Sequence, residues 1–138
     1  KIIAGEINGV KGPVQDVVAE PTFIDITIHP GGVFLHQIQQ KNSKIAKACY
    51  LFKGAAWFGP ESDQKLIANE SLIVFDDSEG DMVRVVVPKE SKESARVLMM
   101  SGKVIGEPIV RYGPFVMNTE EEVQKVLRLI HCGEFPPK

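Results

Sequence analysis

Imidazole is scarce in this chain: its 138 residues include only three histidines, His29, His36 and His131. A catalytic metal site on a β scaffold usually draws two or three imidazoles and a carboxylate onto one ion. No HxH, HxxxH or HExxH pairing is present to begin such a site. Thiols are scarcer still, and Cys49 and Cys132 stand too far apart for a CxxC redox motif or a zinc knuckle. Both read as free thiols. Cys49 lies within an apolar run as a small buried hydrophobe, and Cys132 follows a helical pattern and is more exposed. An excess of one charge is also lacking, since 16 Lys and Arg against 18 Asp and Glu leave a net charge of −2. That balance gives no basic surplus for phosphate backbones, so direct nucleic-acid binding is not expected. No stretch approaches the roughly 18 apolar residues of a membrane span, and the opening Lys1 to Gly5 has no apolar signal region. The expectation is a soluble, intracellular protein without membrane contact. Its start on Lys1 rather than Met suggests a processed product or a piece cut from something longer.

What is present is an ordinary globular composition, 43% hydrophobic and 25% charged, in a length that suits one domain over residues 1–138. Short β-type runs separated by turn residues predict an all-β sandwich or barrel. The runs are Lys1 to Glu6, Phe23 to His29, Gly32 to Gln37, Ile45 to Phe52, Ala55 to Phe58, Leu66 to Ala68, Leu72 to Phe75, Met82 to Val87 and Ala95 to Met100. In the second, Ile24, Ile26 and Ile28 alternate with Phe23, Asp25, Thr27 and His29, the mark of a strand with one face in the core. The run Ile45 to Phe52 is a central strand, in which Asp at Tyr50 or Leu51 should unfold the domain. Lys53-Gly54 supplies the positive φ of a tight hairpin, and Gly59-Pro60 stops a strand. The acidic segment Asp76 to Asp81 reads as a solvated hairpin tip, because it lacks the spaced oxygen ligands of a calcium loop.

One helix is predicted, from Glu120 to His131. Thr119 and Glu122 form a capping box, Val123, Val126, Leu127 and Ile130 make an apolar stripe for the β core, and Gly133 ends it. Nucleophilic and phosphate chemistry find no purchase. There is no Gly-x-Ser-x-Gly elbow, and Gly5, Gly9 and Gly12 have neither dinucleotide nor P-loop spacing and read as a turn. Trp57 and Phe58 read as strand packing before pocket lining. His29 and His36 flank Pro30-Gly31-Gly32, so a turn could bring them together, yet two ligands without a third define no site. His131 suits the helix C-terminus. No catalytic, cofactor-binding or metal-ligating residue is assigned.

The stretch GEPIVRYGPFVMNTEEEV from Gly106 to Val123, followed by Gly133-Glu-Phe135, resembles the C-terminal signature of the pirin family. Ile3 to Glu6 with Gly9 to Pro13 is similar to the segment entering that family's second domain, and Thr22 to Gly32 to its first strand and turn. The resemblance implies a cupin-type β-barrel or jelly-roll sandwich with one C-terminal helix, and it implies that residues 1–138 are the second of two tandem cupin domains. In that family iron or a similar divalent metal sits in the N-terminal domain on three His and one Glu, ligands that do not carry over to these residues. Matched through the Lys53-Gly54 turn, the HxH positions fall near Gln40 and Asn42, and the second motif's His falls among Met82, Val83, Arg84 and Val85.

The resemblance implies two functions for the parent: transcriptional co-regulation through protein contacts, or quercetin 2,3-dioxygenation at the N-terminal metal. For this domain the first expectation is a non-catalytic partner of the metal-bearing domain, without a cofactor of its own, offering a surface to transcription-factor proteins in the cytoplasm or nucleus. The alternative is the inactive half of a quercetinase. An exposed former interface would also let the isolated domain self-associate.

Overall fold

Alternating apolar residues over five to nine positions, broken by glycine-bearing turns, fold into strands wherever one face can be buried. The computed structural model describes residues 1–38, 44–63, 65–68, 70–76 and 80–136, so Gln40, Asn42, Asp77, Ser78 and Glu79 lie outside the described residues. The chain divides into two compact units, Lys1–Val104 and Ile105–Lys138. The first carries β1 (Ile2–Ala4), β2 (Glu6–Ile7), β3 (Val10–Lys11), β4 (Thr22–Ile28), β5 (Val33–Gln37), β6 (Ile45–Lys53), β7 (Ala55–Phe58), β8 (Leu66–Ala68), β9 (Ser71–Phe75), β10 (Met82–Val86) and β11 (Ala95–Lys103). Among the described residues these make a five-stranded sheet in the order β1-β4-β11-β6-β9, a four-stranded sheet in the order β5-β10-β7-β8, and the small hairpin β2-β3.

The two sheets share one core. Ile24, Ile28, Cys49, Leu51, Val97 and Met99 come from the five-stranded sheet, and Ala56, Phe58, Val83 and Val85 from the four-stranded one. The result is a jelly-roll-type sandwich rather than a closed barrel, since among the described residues no strand of one sheet is hydrogen-bonded to a strand of the other. Phe58 belongs to that core and Trp57 is half-buried, in line with their reading as packing residues. Tyr50 departs from expectation. The period of two that sends Cys49 and Leu51 inward sends Tyr50 to the outer face, where it is half-buried and stacks with Phe52 at 6.5 Å.

Two turns also differ from the sequence reading. Gly54 does take a positive φ of 80°, but β6 and β7 lie in different sheets, so it is a crossing and not a hairpin. The register of β6 against β11 slips between Arg96 and Val97, a bulge just before Gly54 of the kind that bends a strand. Likewise β9 and β10, which flank the acidic segment 76–81, belong to different sheets and form no hairpin. The reason in both cases is that a turn motif fixes local direction, while sheet membership is set by which apolar faces must meet.

In the second unit, β12 (Val110–Tyr112) and β13 (Phe115–Met117) form a hairpin and α1 runs Glu120–His131. The predicted capping box is present: Glu122 N donates to Thr119 Oγ1 at 3.2 Å and Thr119 N donates to Glu122 Oε2 at 3.0 Å. Gly133 closes the helix at φ 72°, with its N–H on the Ile130 carbonyl and that of Glu134 on the Leu129 carbonyl, a Schellman ending. Val123 is buried, and within this unit the helix meets β12 and β13. No helix among the described residues is long and apolar enough to cross a membrane.

Both cysteines are free, Cys49 fully buried and Cys132 exposed. Burial pushes the Cys49 thiol up to about 12, leaving no thiolate at neutral pH. A thiol reagent should therefore modify one thiol in the native chain and two after denaturation. Two fast native equivalents would contradict this packing.

Candidate functional site

The β2-β3 hairpin turns on Asn8-Gly9, both at positive φ (49° and 80°), the residue pair that a primed two-residue turn requires. That hairpin forms one wall of a cavity of about 630 Å³. The other walls come from the entry to β4, from β5 and from the end of β11. They bring Glu6, Glu20, Thr22, His36, Gln37 and Ser101 to one polar hollow. Sequence reading missed all of these except His36, because they come from segments up to nearly a hundred positions apart. The Asn8-Gly9 pair was the one local signal that could have flagged the hairpin.

Electrostatics in the hollow are mild. Glu20 is engaged by Lys103 Nζ at the rim, and Gln37 Nε2 donates to Asp81 Oδ2 at 3.1 Å. His36 stacks on Phe34 with ring centroids 6.4 Å apart, and burial lowers its pKa below the ordinary 6.5. The folded chain thus protonates His36 less readily than the unfolded chain. As pH falls through about 6.5 the unfolded state takes up the proton first, and stability declines. A His36→Gln variant should show a flatter dependence of stability on pH below 6.5, measured by urea unfolding. An unchanged slope would show that the imidazole does not titrate differently on folding.

His29 does not join His36. His29 follows β4, and its Nδ1 shares a 2.9 Å hydrogen bond with Ser94 Oγ. The cavity is reached by Thr22 at the opposite end of the same seven-residue strand, a strand length of roughly 20 Å away. The Pro30-Gly31-Gly32 turn therefore does not bring His29 and His36 together. His131 ends α1 in the second unit. Gly5 precedes the β2-β3 hairpin and Gly9 lies in its turn, each at positive φ, and no helix directly follows them.

The positions that a second cupin motif would use are filled by other chemistry. Val83 and Val85 point into the core and are fully buried, Met82 is exposed, and Arg84 donates to the Gly59 carbonyl and to Glu61 Oε1 at 3.3 and 3.2 Å. The facing row of β6 and β11 presents Cys49, Leu51, Val97 and Met99. Lys47 also points inward on β6, its Nζ donating to the Gly80 carbonyl at 3.3 Å. Among the described residues no three His, Cys, Asp or Glu side chains stand close enough to hold an ion. A site of three His and one Glu does not fit this interior.

A family model described as the Pirin C-terminal cupin domain matches residues 23–136. The chain belongs to the pirin family. As a pirin-family domain it is 33% identical over 135 residues to Pirin-like protein 2 of Arabidopsis thaliana, covering 97% of this chain and 40% of that protein. It is 32% identical over 127 residues to Pirin of Homo sapiens, covering 91% of this chain and 41% of that one. A crystal structure of quercetin 2,3-dioxygenase from Acinetobacter baumannii superimposes with a TM-score of 0.79 over 98% of this chain and 43% of that chain. At 22% identity it shares the fold alone. The chain thus spans about two fifths of the length of the curated relatives it matches.

Proposed function

We propose that these residues are a non-catalytic cupin domain of a pirin-like protein, one that supports a metal-binding N-terminal domain of the same parent chain and serves protein contacts in transcriptional co-regulation. The observation that carries this reading is the aliphatic interior. Val83 and Val85, where the resemblance would put the second motif's His, lie in an aliphatic core with Leu51 and Met99, and among the described residues His36 is the one imidazole lining the hollow. The iron or similar metal of the parent then belongs outside these residues. On the alternative reading the parent is a quercetin 2,3-dioxygenase, and the oxidation again takes place elsewhere. Both give the same expectation for this chain. Supplied with iron(II), air and quercetin, the 138-residue protein should consume the flavonol no faster than buffer with iron alone. Turnover proportional to protein concentration would overturn the reading.

A further inference from the structure

The hollow beside the β2-β3 hairpin is rich in hydrogen-bond acceptors and poor in donors. Among the described residues no Lys or Arg lines it, and Lys103 reaches its rim only as the partner of Glu20. Gln37 has its Nε2 donor engaged by Asp81, so its amide oxygen is what remains to offer. Burial keeps His36 neutral above pH 6.5, with one ring nitrogen as an acceptor. Thr22 and Ser101 stand directly opposite each other on β4 and β11, and among the described residues neither hydroxyl bonds another protein group. Glu6 likewise has no hydrogen-bond or ion-pair partner there. Lys11 is directly across the hairpin from Glu6, but it lines the neighbouring cavity of about 530 Å³ and is not within ion-pair distance.

The same hollow has an apolar side. Ile38 and Ile45 line it and are buried, and Ile7 packs against the core from the hairpin. At about 630 Å³ it falls within the roughly 300–1,000 Å³ of small-molecule sites. Acceptors around an apolar floor select a ligand by sign. A phosphate or carboxylate finds no free cation there and is repelled by Glu6. A polyol brings as many acceptors as donors, and the acceptors find few partners. A primary ammonium brings three donors and no acceptor, the complement of this lining. The chain supplies its own example at the rim, where the half-buried Lys103 ammonium donates to the Glu20 carboxylate.

We propose that this hollow binds a small primary ammonium carried on a hydrocarbon body. Glu6 takes the ammonium as its counter-ion, the oxygens of Thr22 and Ser101 and the free nitrogen of His36 accept its remaining N–H groups, and Ile38 and Ile45 receive the hydrocarbon. Binding is non-covalent and needs no metal, so it does not depend on where the metal of the parent chain lies.

The test titrates the nitrogen-15-labelled 138-residue chain at pH 7.5 with three probes of one shape: cyclohexylmethylammonium, cyclohexylmethanol and cyclohexanecarboxylate. Amide shifts are read by nuclear magnetic resonance. The ammonium should give saturable shifts at Glu6, Thr22, His36 and Ser101, the alcohol should bind about ten-fold more weakly, and the carboxylate should shift none of these amides. Glu6→Gln, an exposed change that keeps the side-chain shape, should weaken the ammonium about ten-fold and leave the alcohol unaltered. Glu134→Gln, in the other unit, should alter neither. Shifts that fail to saturate, or that saturate away from the hollow, would overturn the proposal. Equal affinity for ammonium and alcohol would also overturn it and assign the hollow to neutral hydroxylated ligands. So would equal weakening by Glu6→Gln and Glu134→Gln, the mark of diffuse attraction to an acidic chain.

Discussion

Replacing Leu51 with aspartate is expected to abolish the cooperative unfolding transition at room temperature. Leu51 has no solvent exposure and lies at the centre of the shared core, with Val97 opposite it on β11. An unpaired carboxylate there has no donor within the aliphatic row, and leaving a buried charge uncompensated costs about 3–5 kcal/mol beyond the lost apolar contacts. That approaches the whole stability of a typical domain, roughly 5–15 kcal/mol. The neighbouring change Tyr50→Asp is expected to cost much less, about 1–2 kcal/mol, because residue 50 points to the outer face, where water reaches the new charge. Circular dichroism through a thermal ramp distinguishes the two. Equal losses, or a larger loss at Tyr50, would mean that β6 is registered one residue from its position here.

Gly54→Ala should also destabilise strongly, by roughly 2–4 kcal/mol, for two separable reasons. A left-handed backbone at φ 80° strains any residue with a Cβ, and at this position the Cβ would lie 2.8 Å from the Ser94 carbonyl oxygen and 2.9 Å from the Ala95 Cα. Both contacts are backbone, at the point where the chain leaves one sheet for the other, so neither yields without moving β11. Gly59→Ala provides the comparison: its φ is 93°, and nothing lies within 4 Å of the added methyl. That variant should show the strain alone, about 1–2 kcal/mol. Chemical denaturation of the pair checks the difference, and matched losses would show that Ser94 and Ala95 do not crowd Gly54.

Much of the fold was legible because it is local. The alternation of Ile24, Ile26 and Ile28 marks β4, and Thr119 with Glu122 and Gly133 marks both ends of α1. The family signature from Gly106 to Val123 points to the cupin architecture that the paired sheets display. What escaped is non-local. Gly54 and the segment 76–81 look like hairpin turns, but pairing is decided by partners dozens of residues away, and β6 finds β11 and β9 rather than β7. The hairpin β12-β13 was hidden by strands of three residues, too short for a period to show. The hollow around His36 was hidden because Glu6, Glu20 and Ser101 approach it from separate strands and turns, whereas His29, nearer to His36 in sequence, is carried away at the far end of β4.

On the proposed reading, the metal of the parent chain is not held by this pirin-family domain. The most direct test is the metal content of the purified 138-residue chain after anaerobic exposure to iron(II) and desalting, read by inductively coupled plasma mass spectrometry. The aliphatic interior predicts iron far below one equivalent per chain. One tightly held iron per chain, lost on replacing His36, would contradict the account and place a working metal site in the hollow bounded by Glu6, Glu20 and His36.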